Sequence, residues 1–286
     1  MNGIIIINKS KGYTSHDIVA KVKKITGEKV GHTGTLDPLA TGVLPLLIGK
    51  GTLCSKYLMN HDKTYTVVLK LGIKKSTGDE EGDILQQEVV DEKILDENNV
   101  KIVLESFLGE QEQIPPIYSA IKVNGKKLYE YARKGQQVEI QPRKITIYDI
   151  QLLKIDKANL EIQFEVSCSK GTYIRSLCED IAEKMGTIGY MKELQRTRVG
   201  TFTIDQSILL EDLNEENVEE HIITVENLFK DLKNIDLNEK KLQLFLNGVK
   251  LSFNLKDGIY KIYSNQQFIG IGVVKDKLLK RDIVLV

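Results

Sequence analysis

Four consecutive isoleucines at residues 4–7 and a second apolar run at residues 43–48 constrain this chain more than anything else in it. Neither run alternates with polar residues, so both read as buried strands. Between them lies one helix: Thr14 and Ser15 offer an N-cap, Ile18, Val22 and Ile25 recur at helical spacing, and Gly27 ends the pattern. The rest of the gap is the stretch Gly31-His32-Thr33-Gly34-Thr35-Leu36-Asp37-Pro38-Leu39-Ala40-Thr41-Gly42, which holds a single acid. Glycines before Asp37 and Pro38 after it shape the backbone rather than repeat it. A constrained loop tied to a buried strand suits a side chain that must be aimed. The plainer reading, that Asp37 caps the turn it makes with Pro38, stays open at this point.

The remaining sequence supplies the other elements. Tyr65, Val67 and Leu69 alternate with Thr66, Val68 and Lys70, which gives a strand with a buried face. Residues 77–82 form an acidic turn, 100–108 a helix, and Gln113-Ile114-Pro115-Pro116 breaks regular structure. Residues 121–123, the turn Asn124-Gly125 and residues 128–133 read as strand, tight turn and helix. Residues 145–155 and 160–168 make a hairpin, 173–185 a helix, and 190–203 is extended towards its end. Residues 209–232 are acidic and helical in pieces. Short segments at 242–249, 259–263, 268–274 and 283–286 then suggest a small β module. The expected class is α+β: a mixed, largely antiparallel central sheet flanked by helices and loops, plus a C-terminal β-rich module, without regular βαβ units. The expected division is residues 1–235, with an insertion at about 113–144, and residues 236–286.

Composition narrows the function. Lysine plus arginine and aspartate plus glutamate each number 40, yet the charge is segregated. Residues 1–75 carry about +8, 76–113 about −10, 121–144 about +5, 205–239 about −9 and 240–286 about +6. Such blocks give either a two-faced molecule that attracts phosphates or simply solvated faces. No apolar run approaches the roughly 20 residues that span a bilayer, and the N-terminus lacks a signal-peptide pattern. Cys54, Cys168 and Cys178 are an odd set without Cys-x-x-Cys, which points away from disulfides and structural zinc and towards the cytoplasm. The histidines are scattered, and no phosphate loop, dinucleotide fingerprint or nucleophile elbow is present. Chemistry is therefore expected from ordinary side chains, with no cofactor and no metal. Asp37 is one candidate, Tyr65 another and Arg175, opening a helix after Ser169-Lys170-Gly171-Thr172-Tyr173-Ile174, a third. Taken singly, Tyr65 also reads as core and Arg175 as a surface arginine.

Together these stretches resemble the TruB family of tRNA pseudouridine synthases. The loop at 31–42 resembles its catalytic motif, Asn8-Lys9 to Gly12-Tyr13-Thr14-Ser15 its opening motif, and Asp62-Lys63-Thr64-Tyr65 its tyrosine-bearing strand. Residues 115–125 and 128–135 are similar to its RNA-gripping insertion, 168–175 to its arginine motif, and Leu194-Gln195-Arg196-Thr197-Arg198-Val199-Gly200 to its last catalytic motif. The tail resembles a PUA-like RNA-binding module. Two departures stand out: Ser10 replaces the family's proline after Lys9, and Gln195 replaces the first of two arginines.

The resemblance implies isomerisation of the uridine at position 55 of the tRNA T loop to pseudouridine, without cofactor or metal. It implies Asp37 as nucleophile, Arg175 as its ion-pair partner, and Tyr65 stacked on the base and able to take the C5 proton. Leu194 would close the apolar side, His32 would wedge into the space left by the flipped base, and Lys9, Lys122, Arg133 and Arg143 would meet the RNA. The implied partner is the T arm of tRNA, with no membrane and no obligatory protein partner, for a monomer. The alternative is an RNA-binding or tRNA-folding protein whose catalysis is dispensable.

Overall fold

The computed structural model describes residues 1–59 and 61–286. Its framework is the pair of apolar runs. Strand β1 (Gly3–Lys9) lies antiparallel to β2 (Thr41–Ile48), with Ile5 opposite Leu46 and Lys9 opposite Gly42. Ile5, Ile7, Leu44 and Leu46 enter one core, while Ile4, Ile6, Val43 and Leu47 enter another on the opposite face. An uninterrupted apolar run is what a strand covered on both faces requires.

Helix α1 (Ser15–Thr26) joins the two strands and packs Ile18 and Val22 into the first core. Its start is a capping box: the Thr14 hydroxyl accepts from the Asp17 amide at 3.1 Å, and the Thr14 amide donates to the Asp17 carboxylate at 2.8 Å. Gly27, at φ +67°, closes it in the left-handed region.

The other main-sheet strands are β3 (Lys63–Leu71), β4 (Gly109–Gln113), β5 (Arg143–Asp156), β6 (Glu161–Cys168) and β7 (Gly189–Val199). The order across the sheet is Ile208–Leu209, β1, β2, β7, β3, β6, β5, β4. Along this path the pairs are antiparallel, except Ile208–Leu209 with β1 and β7 with β2. The largely antiparallel mixed sheet expected from the sequence is what forms. Helix α2 (Glu97–Glu105) is capped by Asp96, so it starts and ends earlier than residues 100–108. Between β4 and β5 the insertion holds a two-stranded hairpin, Lys122–Val123 with Lys126–Lys127, and the short helix α3 (Leu128–Ala132). Helix α4 (Ile174–Lys184) packs Leu177 and Ile181 against the sheet. Strand β7 is extended over its whole length, not only at the end of the 190–203 stretch.

A second, five-stranded sheet closes the chain: β8 (Asn234–Asp236), β9 (Gly258–Ser264), β10 (Gln267–Lys275), β11 (Leu278–Val284) and Leu251–Ser252, in that order. Residues 242–249, expected as a strand, instead hold the end of helix α5 (Glu239–Leu246) and the turn after it. Leu242, Leu244 and Leu246 alternate like a strand, but Asn238 caps the Lys241 amide and Leu242, Phe245 and Leu246 share one helical face on the module's core. The last strand is likewise Leu278–Val284 rather than 283–286. Ile271 and Ile283 of the second sheet meet Cys54 and Val225, which lie in short helical turns beside the first sheet. Asp282 accepts from the Tyr57 hydroxyl at 2.5 Å and pairs with Lys56.

Candidate active site

The loop at 31–42 is held from three sides. From β1, Lys9 is fully buried and its ammonium donates to the Ser10 and Pro38 carbonyls, each at 3.1 Å. From α1, the Ser15 hydroxyl donates to the Leu36 carbonyl at 3.1 Å and accepts from the Leu36 amide at 2.9 Å. From β7, Arg196 donates to the Gly34 carbonyl at 3.0 Å and the Val43 carbonyl at 2.8 Å. Gly42 allows the closest approach. Its φ is +100°, and a Cβ there would lie 2.2 Å from the Arg196 carbonyl oxygen.

So fixed, Asp37 faces Arg175, the second residue of α4. The Arg175 Nε lies 3.2 Å from the Asp37 Oδ2. The other guanidinium nitrogens donate to the carbonyls of Thr77 at 3.1 Å and Tyr118 at 2.9 Å, and Nη1 lies 3.7 Å from the buried Asp79 carboxylate. The start of α4 is clasped to β4: the Gln113 side chain accepts from the Tyr173 amide at 2.8 Å and donates to the Tyr173 carbonyl at 3.0 Å. Burial pushes the Asp37 carboxyl above the usual carboxylate range; Arg175 pulls it back, Asp79 adds to the rise, and Lys9 opposes it.

Asp37 and Arg175 open into a cavity of about 490 Å³. Tyr65 of β3 and Leu194 of β7 line it, with Arg196 opposite Tyr65 and Leu194 opposite Val67. Burial pushes the Tyr65 phenol up to about 12, while Arg196 at its hydroxyl works the other way. Ser119 and Tyr129 of the insertion line it as well, together with Lys170 and Tyr173. The structure thus brings together Asp37, Tyr65, Arg175 and Leu194 as expected.

The expected RNA-facing residues divide. Lys122, Arg133 and Arg143 are exposed, and Arg133 rests over the Tyr129 ring, 5.3 Å from its centroid. Lys9 does not fit that role: with its ammonium spent on two carbonyls and no exposed surface, it supports the loop from beneath. Burial lowers its pKa to about 8, against the pull of Asp37. His32 lies outside the cavity lining, its ring edge-on to His16 with centroids 5.7 Å apart. Ser10, in the place of the expected proline, reaches the Glu211 carboxylate at 3.4 Å, and Gln195 is exposed. Asp79 and Arg196 were not singled out by the sequence. The first sat in an acidic turn, and the second sat inside a quoted motif with nothing to reveal its neighbours across the sheet.

Known structures share this fold. The chain superimposes with a TM-score of 0.69 and 25% identity on a structure described as an H/ACA RNP bound to a substrate RNA containing 2′-deoxyuridine, covering 99% of this chain and 85% of that one. A Cbf5-Nop10-Gar1 complex matches with a TM-score of 0.67 and 28% identity, over 99% and 83%. Residues 22–174 match the TruB family pseudouridylate synthase N-terminal domain, and residues 175–237 match the tRNA pseudouridylate synthase B C-terminal domain. The fold is therefore that of a pseudouridylate synthase. Relatives named tRNA pseudouridine synthase B are 48% identical in Clostridium tetani, over 95% of both chains, and 45% identical in Clostridium perfringens, over 100% of this chain and 99% of that one. The chain belongs to the TruB family.

Proposed function

We propose that this protein isomerises the uridine at position 55 in the T loop of tRNA to pseudouridine, with Asp37 as the nucleophile. The observation that carries the reading is the Asp37 carboxylate, 3.2 Å from Arg175, facing a cavity floored by Tyr65 and Leu194. A cavity of about 490 Å³ suits one nucleotide. The names of the relatives support tRNA as the RNA. Arg175 holds Asp37 ionised and oriented. Tyr65 stacks on the base and takes the C5 proton, and Leu194 closes the apolar side. The base leaves its stack at a cost of a few kcal/mol, and His32 fills the vacated space.

Residues 1–235 form the catalytic part of the proposal and 236–286 the RNA-binding module. Lys122, Arg133 and Arg143 grip the T-arm phosphates as the insertion closes. The protein acts as a monomer without a protein partner, and three free buried cysteines support a cytoplasmic setting. No helix among the described residues is long and apolar enough to cross a membrane. The test is incubation with unmodified T-loop RNA, followed by chemical mapping of pseudouridine. Conversion is expected at the T-loop uridine and lost in Asp37→Asn; normal conversion by that variant defeats the mechanism.

A further inference from the structure

Among the described residues Arg196 is the largest fully buried side chain, and no carboxylate pairs with it. Its guanidinium donates to three carbonyls, Val43 at 2.8 Å, Gly34 at 3.0 Å and Thr35 at 3.4 Å. These occupy one N–H on each of its three nitrogens and leave its charge uncompensated, an arrangement that costs stability. The backbone gives this charge an address. Arg196 sits opposite Gly42 on one side and opposite Tyr65 on the other, so it joins the Asp37 loop to the Tyr65 strand. The part of the guanidinium not used on the loop faces the Tyr65 hydroxyl in the cavity wall.

Uridine carries a hydrogen on C5 and none on N1; pseudouridine carries the reverse. The isomerisation must therefore deliver one proton to N1 and remove one from C5. We propose that Tyr65 makes both transfers and that Arg196 is the positioning residue that holds the tyrosine oxygen as an anion between them. In the first transfer the Tyr65 O–H bond breaks and an N1–H bond forms. In the second the C5–H bond breaks, its electron pair restores the C5–C6 double bond, and the proton returns to the phenolate. The tyrosine ends as it began, and no other reactant is needed.

The surroundings fit a need for that support. Burial, Cys168 and Asp37 all disfavour an anion on Tyr65, and the guanidinium is the group that opposes them. Lys63, which also lines the cavity, spends its ammonium on the His61 carbonyl, and burial and the Arg196 guanidinium both disfavour its charge. A guanidinium also keeps its proton in a protein, so its charge is always available.

The inference rests on the reading of Tyr65 as the group that takes the C5 proton, and the test separates the two. Single-turnover conversion of T-loop RNA bearing hydrogen or deuterium at C5 is measured for the full-length protein and for Arg196→Gln, Arg196→Lys and Tyr65→Phe. Arg196→Gln keeps an N–H donor for the loop and drops the charge; Arg196→Lys keeps the charge and drops the fork. The expected result is a rate fall of about 10²–10³-fold in Arg196→Gln and a smaller fall in Arg196→Lys, with RNA affinity retained. A primary deuterium effect should emerge in both variants beyond that of the parent. A purely structural role predicts loss that follows melting temperature and carries no isotope effect, and that result overturns the inference. So does an Arg196→Gln rate equal to that of Arg196→Lys. If Arg196→Lys does not fold, the isotope effect in Arg196→Gln decides alone. Full activity in Tyr65→Phe removes the tyrosine reading and this inference with it. An isotope effect in Tyr65→Phe but in neither arginine variant removes only the role of Arg196.

Discussion

Gly42→Ala tests how closely the Asp37 loop depends on its seat against β7. The new Cβ would lie 2.2 Å from the Arg196 carbonyl oxygen and 2.9 Å from its carbonyl carbon and amide nitrogen. These are backbone atoms, so no side chain can swing aside. The strands must part by most of an ångström, which breaks the parallel pairing of Thr41 with Gln195 and Gly42 with Arg196. The positive φ costs about 1–2 kcal/mol for an L-residue, and each lost backbone hydrogen bond about 1 kcal/mol. The expected destabilisation is about 3 kcal/mol by urea titration, or some 6–12 °C in melting temperature for a chain of this size. Moving the loop also moves Asp37, and a shift of about 1 Å at a reacting group costs about 10²-fold in rate. Gly12→Ala is the internal control. Gly12 has φ +90° but nothing within 4 Å of its Cβ position, so it bears the backbone strain without the clash. Near-full pseudouridine formation and a smaller loss of stability are expected there. Equal losses in the two variants would refute the seating argument, because strain common to both would then explain everything.

Three further outcomes follow from the charges. Asp37 must be ionised to attack, and burial holds its carboxyl above the usual range, so the acid limb of the rate profile should lie above the value of about 3.9 for a free aspartate. Arg175→Gln removes the strongest opposing charge and should move that limb to higher pH, with activity recovering as pH is raised; an unmoved limb contradicts this. Lys9 has a folded pKa of about 8 against 10.5 when free, so its burial penalty is fully present below pH 8 and is relieved as pH rises to 10.5. Between those limits the stability of the parent should gain up to about 3 kcal/mol on Lys9→Met, read by denaturation at pH 7 and pH 10; a constant difference counts against the assignment. Asp282→Ala should loosen the C-terminal sheet by about 1–3 kcal/mol, detected by limited proteolysis, because the Tyr57 hydroxyl loses its acceptor. Lys56→Ala, on the exposed side of the same contact, should change little.

What the sequence made legible were features that repeat locally. The apolar runs at 4–7 and 43–48 announced strands, Thr14-Ser15 announced a cap, and Asn124-Gly125 announced a tight turn. Asp37, Tyr65, Arg175 and Leu194 could be gathered by resemblance, and the sheet does gather them. Register across strands leaves no such local trace. Arg196 faces Tyr65 because β7 and β3 pair with bulges near both, and residue spacing along either strand cannot reveal that. Lys9 was misread for a related reason: a lysine after a polar residue looks solvated, and only the pleat of β1 turns it inward beneath Pro38. Residues 242–249 carried two periods at once, and the cap at Asn238 decided for the helix.

The clasp between Arg175 and the Tyr118 carbonyl has a mechanical consequence. One guanidinium divides its donors between Asp37, the acidic turn at Thr77 and Asp79, and the root of the insertion. The insertion is therefore geared to the acid it covers. Lifting it away takes one acceptor from Arg175 and leaves it the Thr77 carbonyl and the two carboxylates, so any movement of the insertion is felt at the side chain that orients the acid.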